Sequence, residues 1–214
     1  MKFINLHTHS RNKTENCLPI TQYYPGDEIT PGFYSLGFHP WFIREKFNEA
    51  NVKQFQSQII SSDCLTIGEC GLDKACETNY GLQKEVLEMQ IKLAKKVNKP
   101  LLLHIVKAHQ EVANMLDKQN WTNSIILHGF NQKEAAVQCF KNYETYYSFG
   151  NQLFNLNSNA CKTILKLPID KIFLETDDST IEIEELYKQA SKLLGIEIEE
   201  LIIQIENNFK KVFN

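Results

Sequence analysis

Five of the six histidines in this chain stand where short apolar runs end. His7 and His9 close FINLHTH, His39 closes YSLGFH, His104 closes PLLLH and His128 closes SIILH. Two carboxylates end similar runs, Glu69 in LTIGE and Asp177 in KIFLETD. A carboxylate or imidazole at the end of a buried strand is costly to desolvate unless it is paired or bound to a metal ion. Taken singly, each has an ordinary reading: a solvent-facing His-x-His, a capping glutamate, a hydrogen-bonded core histidine, a buried acid beside a cation. Together they need only one cause. His7, His9, Glu69, His104, His128 and Asp177 form a nitrogen and oxygen ligand set suited to zinc, manganese or similar ions. The set is too large for one tetrahedral catalytic ion with an open position. Two divalent ions (zinc, manganese or magnesium) sharing a carboxylate fit better. Such a pair acidifies a water and clamps the attacked and leaving oxygens of an ester.

For these residues to meet, the strands that carry them must open at one end. Strand-like runs span Phe3 to His9, Cys17 to Tyr24, Tyr34 to His39, Cys64 to Cys70, Leu101 to Val106, Ile125 to Gly129, Thr145 to Gly150 and Lys171 to Asp177. Their near-continuous apolar character fits parallel strands covered on both faces. Helical periodicity fills Tyr80 to Val97, Lys107 to Lys118, Gln132 to Asn142, Ser158 to Lys166, Ile183 to Leu194 and Glu197 to Val212, with Gly195 as the break between the last two. Strand and helix in alternation predict an α/β fold, a TIM-type (β/α)8 barrel with its functional residues at the strand C-termini. The 214 residues are few for such a barrel. The polar, Pro- and Gly-bearing stretch from His9 to Tyr34 has no helical pattern, so the first helices are expected to be reduced to loops. One compact domain over residues 1–214 is expected. Gly68 and Gly71 leave the backbone beside Glu69 free to turn it inward.

Formal net charge is -3 and no run of five or six basic residues occurs, so the sequence itself carries no strong nucleic-acid footprint. The N-terminus lacks an apolar signal core and no stretch is long enough to span a membrane, which predicts a cytoplasmic protein without membrane association. The six cysteines form no Cys-x-x-Cys pair and are expected to be reduced. Cys70, beside Glu69, is read as a small buried side chain. Tyr23, Tyr24, Trp41 and Phe42 are expected to be exposed near the mouth. There they either stack on bases or cover the trimmed side of the barrel, and covering is the favoured reading.

In this frame the chain resembles the TatD-like metal-dependent hydrolases and deoxyribonucleases, almost from end to end. NLHTHS is similar to their opening Asp-x-His-x-His, GFHP to Gly-x-His-Pro, and GECGLD to Gly-Glu-(Ile/Cys)-Gly-Leu-Asp. Gln83, with Gln90, Leu93 and Ala94, resembles their Gln…Gln-x-x-Leu-Ala segment. LLLHIVKAH, ILHGF and FLETDD follow in the family's order. The resemblance implies an amidohydrolase-related barrel. In it, His7, His9, Glu69 and Asp177 hold one ion, and Glu69, His104 and His128 hold the second. His39 and Lys107 would contact the substrate phosphate, and Asp177 would accept a proton as water attacks phosphorus. The implied substrate is a phosphodiester such as single-stranded DNA.

Three departures stand out. Asn5 replaces the family's Asp and is expected to weaken orientation of the neighbouring histidines. Val106, with Lys107 beside it, stands where an Arg is common. Asp178 replaces Ala-Pro, and the loop after it is short. Two other readings are a metal phosphoesterase of the polymerase-and-histidinol-phosphatase (PHP) type, and a degenerate barrel that binds metal without catalysis. The first requires an Asp-His pair downstream of LHTHS, and the chain has none.

Overall fold

A computed structural model describes residues 2–11 and 15–213 of the chain. Eight parallel strands pair in sequence order: β1 (Phe3–Thr8), β2 (Cys17–Tyr23), β3 (Tyr34–Leu36), β4 (Cys64–Asp73), β5 (Leu101–Val106), β6 (Ile125–Leu127), β7 (Thr145–Phe149) and β8 (Ile172–Leu174). The run at Cys17, the weakest of the eight as a sequence pattern, is a full strand. Beyond the end of β8, one parallel bridge between Thr8 and Asp177 brings the last strand back to the first. The Asp177 N–H donates to the His7 carbonyl at 3.0 Å, and the His9 N–H donates to the Asp177 carbonyl at 3.3 Å. The architecture is the expected TIM-type barrel, closed at its C-terminal rim through a site residue.

No helix separates β1, β2 and β3 among the described residues, so the trimming falls where the polar stretch places it. Later connections carry α1 (Ile43–Lys46), α2 (Glu49–Gln58), α3 (Tyr80–Lys96), α4 (His109–Lys118), α5 (Glu134–Gln138), α6 (Asn159–Ile164), α7 (Ile183–Leu194) and α8 (Ile198–Phe213). Asn79 caps α3 by accepting from the Leu82 N–H, and Gly195 ends α7 in the left-handed region at φ 68°. One helical expectation shrinks for a visible reason. The helix read over Gln132 to Asn142 shrinks to α5, which buries no residue and has no side-chain cap. The sequence shows no pattern for α2 because that helix buries only Phe55. No helix among the described residues is long and apolar enough to cross a membrane.

Two bulges aim the site. In the β4–β5 register Ile67 faces Leu101 and Cys70 faces Leu103, so β4 gains one residue around Gly68 and Glu69. In β1–β2, Asn5 faces Pro19 and Thr8 faces Thr21, so β1 gains one around Leu6 and His7. A bulge redirects a side chain that the pleat would otherwise send to the other face. Gly68 and Gly71, at φ 151° and 158°, let β4 lie against β5. A methyl group on either would overlap a β5 carbonyl oxygen, that of Leu102 or His104 respectively.

Candidate metal centre

The six residues singled out as ligands converge. Glu69 is the hub, 3% exposed, with its two oxygens turned to different partners. Oε1 lies 2.9 Å from His104 Nδ1, 2.7 Å from His128 Nε2 and 2.9 Å from His39 Nε2. Oε2 lies 3.5 Å from His7 Nε2 and 3.8 Å from His9 Nε2. Asp177 Oδ1 is 3.4 Å from both His7 Nε2 and His9 Nε2. The spacing of two on β1 thus brings His7 and His9 to the same carboxylates.

Neighbouring side chains fix each member. The Glu69 N–H donates to Gln22 Oε1 at 2.7 Å, an atom that also accepts from Ser35 Oγ. His104 Nε2 faces Asp73 Oδ2 at 3.3 Å, and His128 Nδ1 faces Glu175 Oε1 at 3.3 Å. Each of these two imidazoles therefore turns one nitrogen to Glu69 and the other to a carboxylate, the arrangement that orients histidine ligands in metal sites. Gln22, Asp73 and Glu175 were not singled out in the sequence. The signal for Glu175, a carboxylate closing an apolar run, is the one that identified Glu69.

The donors around His7 fit a divalent cation, whereas the contacts of Glu69 Oε1, at 2.7 to 2.9 Å, have hydrogen-bond spacing. His7 is fully buried, yet both of its ring nitrogens lack a hydrogen-bond partner. Two ligands of one cation at about 2.1 Å in tetrahedral geometry stand about 3.4 Å apart. The separations around His7, His9, Asp177 and Glu69 Oε2, from 3.4 to 3.8 Å, match that spacing and exceed hydrogen-bonding distance. His39 differs. Its Nδ1 accepts from the Trp41 N–H at 3.1 Å, so the neutral ring carries its proton on Nε2, facing Glu69. A protonated nitrogen offers no lone pair to a metal. His39 is 3% exposed and rests on Glu69.

Electrostatics follow from crowding. Burial opposes ionisation of Glu69, yet His128 and His39 hold its carboxyl well below the usual range. Burial would lower His7, but Asp177 and Glu69 hold it up at about 9. His128 is raised well above its ordinary value by Glu69 and Glu175, also against burial. Asp177 is lowered by His7 and His9, again against burial. His39 is lowered, by burial first. With a folded-state value above its unfolded one, His7 contributes stability that is complete below pH 6.5 and lost as pH rises through about 9. A cation needs the neutral ring and so displaces that proton. Chelator-treated protein should therefore lose melting temperature from pH 6.5 to 9. The gain in melting temperature on adding manganese should grow across the same window, by up to about 1.4 kcal/mol per pH unit for the one proton. A manganese increment that is flat or shrinks with pH would contradict this.

Other expectations fare unevenly. Cys70 is buried, its thiol pushed up by burial, as a packing residue would be. Asn5 sends its hydrogen bonds to Thr176: Nδ2 donates to Oγ1 at 2.8 Å, and Oδ1 accepts from the N–H at 2.9 Å. It fastens the end of β8 to β1 through Thr176. Lys107 is exposed just beyond β5, in the left-handed region at φ 55°. Tyr23, expected to be exposed, is buried at 1%, with the Arg11 guanidinium over its ring at 3.7 Å. Tyr24 stacks on His9 with ring centroids 6.0 Å apart, and Phe42 meets Tyr24 edge-on at 5.1 Å. Trp41 is 53% exposed and covers little.

Compared with known proteins, residues 2–214 match the profile of the family described as TatD related DNase. The chain is 32% identical over 152 residues to YabD of Bacillus subtilis, an uncharacterized metal-dependent hydrolase, covering 68% of this chain and 58% of that protein. It is 28% identical over 165 residues to human TATDN3, named a deoxyribonuclease, covering 70% and 60%. The chain thus spans 58 to 60% of the length of these curated relatives. In structure it is similar to Escherichia coli YjjV, a TatD homologue, with TM-score 0.84 at 20% identity over 99% of this chain and 98% of that one.

Proposed function

The chain belongs to the TatD related DNase family, and on that premise we propose that it hydrolyses phosphodiester bonds with two divalent ions, of zinc, manganese or magnesium. The reading rests above all on the split of Glu69. One oxygen faces His7 and His9 beside Asp177, and the other faces His104 and His128. One site would take His7, His9, Asp177 and Glu69 Oε2, and the other Glu69 Oε1, His104 and His128. Ions bound there would supply Lewis acidity toward the phosphate and acidify a water for attack.

The chain's own groups divide the remaining work. Asp73 and Glu175 hold the rings of His104 and His128 in place. The Asp177 side chain is 41% exposed, against 4% for Glu69, so it is the carboxylate of the cluster open to incoming water. It takes the proton released as water attacks phosphorus. His39, whose Nε2 faces Glu69 Oε1 at 2.9 Å, would hold that carboxylate and contact the substrate phosphate or the water around it. Lys107 offers a point charge to the phosphate in place of the bidentate grip of an arginine. Single-stranded DNA is the proposed substrate.

A metal-supplemented screen over single-stranded DNA, RNA, nucleotides and small phosphodiesters tests this reading. Turnover is expected on at least one of them, abolished by chelator and reduced about 10²-fold or more by Asp177→Ala. Full activity in that variant would remove Asp177 as proton acceptor. Stoichiometric metal with no turnover on any ester would leave a metal-binding barrel without catalysis.

A further inference from the structure

Trp41 follows His39-Pro40 and is the most exposed aromatic side chain beside the centre. More than half of its surface meets solvent. Exposed tryptophans usually sample several rotamers, but this one is pinned. Its indole Nε1–H donates to Asp73 Oδ2 at 2.7 Å. Its ring stands edge-on to His39 at 5.0 Å and to His104 at 5.6 Å. The Asp73 carboxylate is itself fixed: Oδ1 accepts from the Ala75 N–H at 2.7 Å, and the residue's own N–H donates to Gln83 Oε1 at 2.8 Å. One buried acid therefore sets both the ring of His104 and the plane of the indole.

A rigid, solvent-facing aromatic surface held against the metal-centre histidines contributes little to the fold. It suits a flat, apolar ligand group lying next to the reacting phosphate. Resting on the phosphodiesterase reading above, we propose that Trp41 is the stacking platform for the nucleobase adjacent to the scissile phosphate. Its orientation is set by Asp73 as a positioning residue. Stacking uses the face of a base and is blind to its edge, so the site should accept any base. The base must also be unstacked from its neighbours, which favours single strands and frayed ends over intact duplex. Phosphodiesters lacking a base would bind more weakly.

Two measurements test the platform and keep its failure separate from that of the phosphodiesterase reading. The first compares kcat/KM for a single-stranded oligonucleotide and for an abasic strand of equal length, in the wild type and in Trp41→Ala. The wild type should favour the base-bearing strand by roughly 5- to 150-fold, the range for one base–aromatic stack, and Trp41→Ala should bring the ratio close to one, mainly through KM. The second follows intrinsic fluorescence on adding a cleavage-resistant phosphorothioate oligo(dT). Trp121, the only other tryptophan, is buried. Quenching should therefore arise at Trp41, vanish in Trp41→Phe and be absent with the abasic strand. A base preference that survives Trp41→Ala, or equal quenching by both strands, would overturn the platform. Quenching confined to base-bearing strands in a protein that cleaves no phosphodiester would uphold it while refuting the phosphodiesterase reading.

Discussion

Glu69→Gln is expected to strip the centre of its ions and to lower phosphodiester hydrolysis by roughly three orders of magnitude. Glutamine keeps the shape of the side chain, so the change isolates charge and donor character. In the wild type, Oε1 and Oε2 each face histidine nitrogens. Whichever way the amide of the variant turns, one of the two sets meets an N–H2 donor in place of an anionic oxygen. A shared carboxylate is then lost to both sites at once, and the several kcal/mol of transition-state stabilisation that depends on the ions goes with it. The metal-free protein suffers as well. His7 and His128 are buried and held in the charged form by Glu69 and its neighbours, and removing one partner of a buried ion pair costs about 3–5 kcal/mol. Elemental analysis and kcat/KM, with circular dichroism to verify folding, read both effects. A folded variant that keeps two metal equivalents and near-normal turnover would show that Glu69 does not bridge.

Gly71→Ala should be the most damaging single methyl group in the barrel. The residue has φ 158°, and a Cβ there would overlap the carbonyl oxygen of His104 on the paired strand. The obstacle is backbone, which cannot rotate away, so β4 and β5 must separate just where they present Glu69 and His104. The expected cost is about 3 kcal/mol or more, or failure to fold. Gly195→Ala supplies the comparison. Gly195 also has positive φ, 68°, but nothing lies within 4 Å of an added Cβ. Conformational preference alone then sets its cost, at about 1–2 kcal/mol. Urea unfolding of the two variants separates close approach from backbone preference. Equal destabilisation would show that the β4–β5 contact is not what requires glycine at 71.

Much of this molecule is readable in its sequence, and the unreadable parts share a cause. Leu101–Val106 and Ile183–Leu194 match their expected bounds because burial on both faces, or along a clear stripe, leaves a strong pattern. Cys17–Tyr23 is faint because Pro19, Thr21 and Gln22 interrupt it, yet Gln22 is buried to hold the Glu69 backbone. The convergence of His7, His9, Glu69, His104, His128 and Asp177 follows from each standing at the same end of its strand. How they converge does not. The bulges at His7 and Glu69 are properties of register between strands and leave no mark within either one. The roles of Asp73 and Glu175 are not legible because a carboxylate that positions a histidine resembles in sequence one that simply caps a strand. The surroundings of His39 are not legible in the sequence because they depend on the Trp41 backbone N–H and on Glu69, one local and one distant.

The central claim is that Glu69 stands between two cations. Anomalous diffraction from crystals grown with manganese or zinc addresses it directly. Two peaks are expected, one among His7, His9, Asp177 and Glu69 Oε2, the other among His104, His128 and Glu69 Oε1, with His39 outside both coordination spheres. Metal bound away from Glu69, or a single ion with Glu69 uncoordinated, would contradict it.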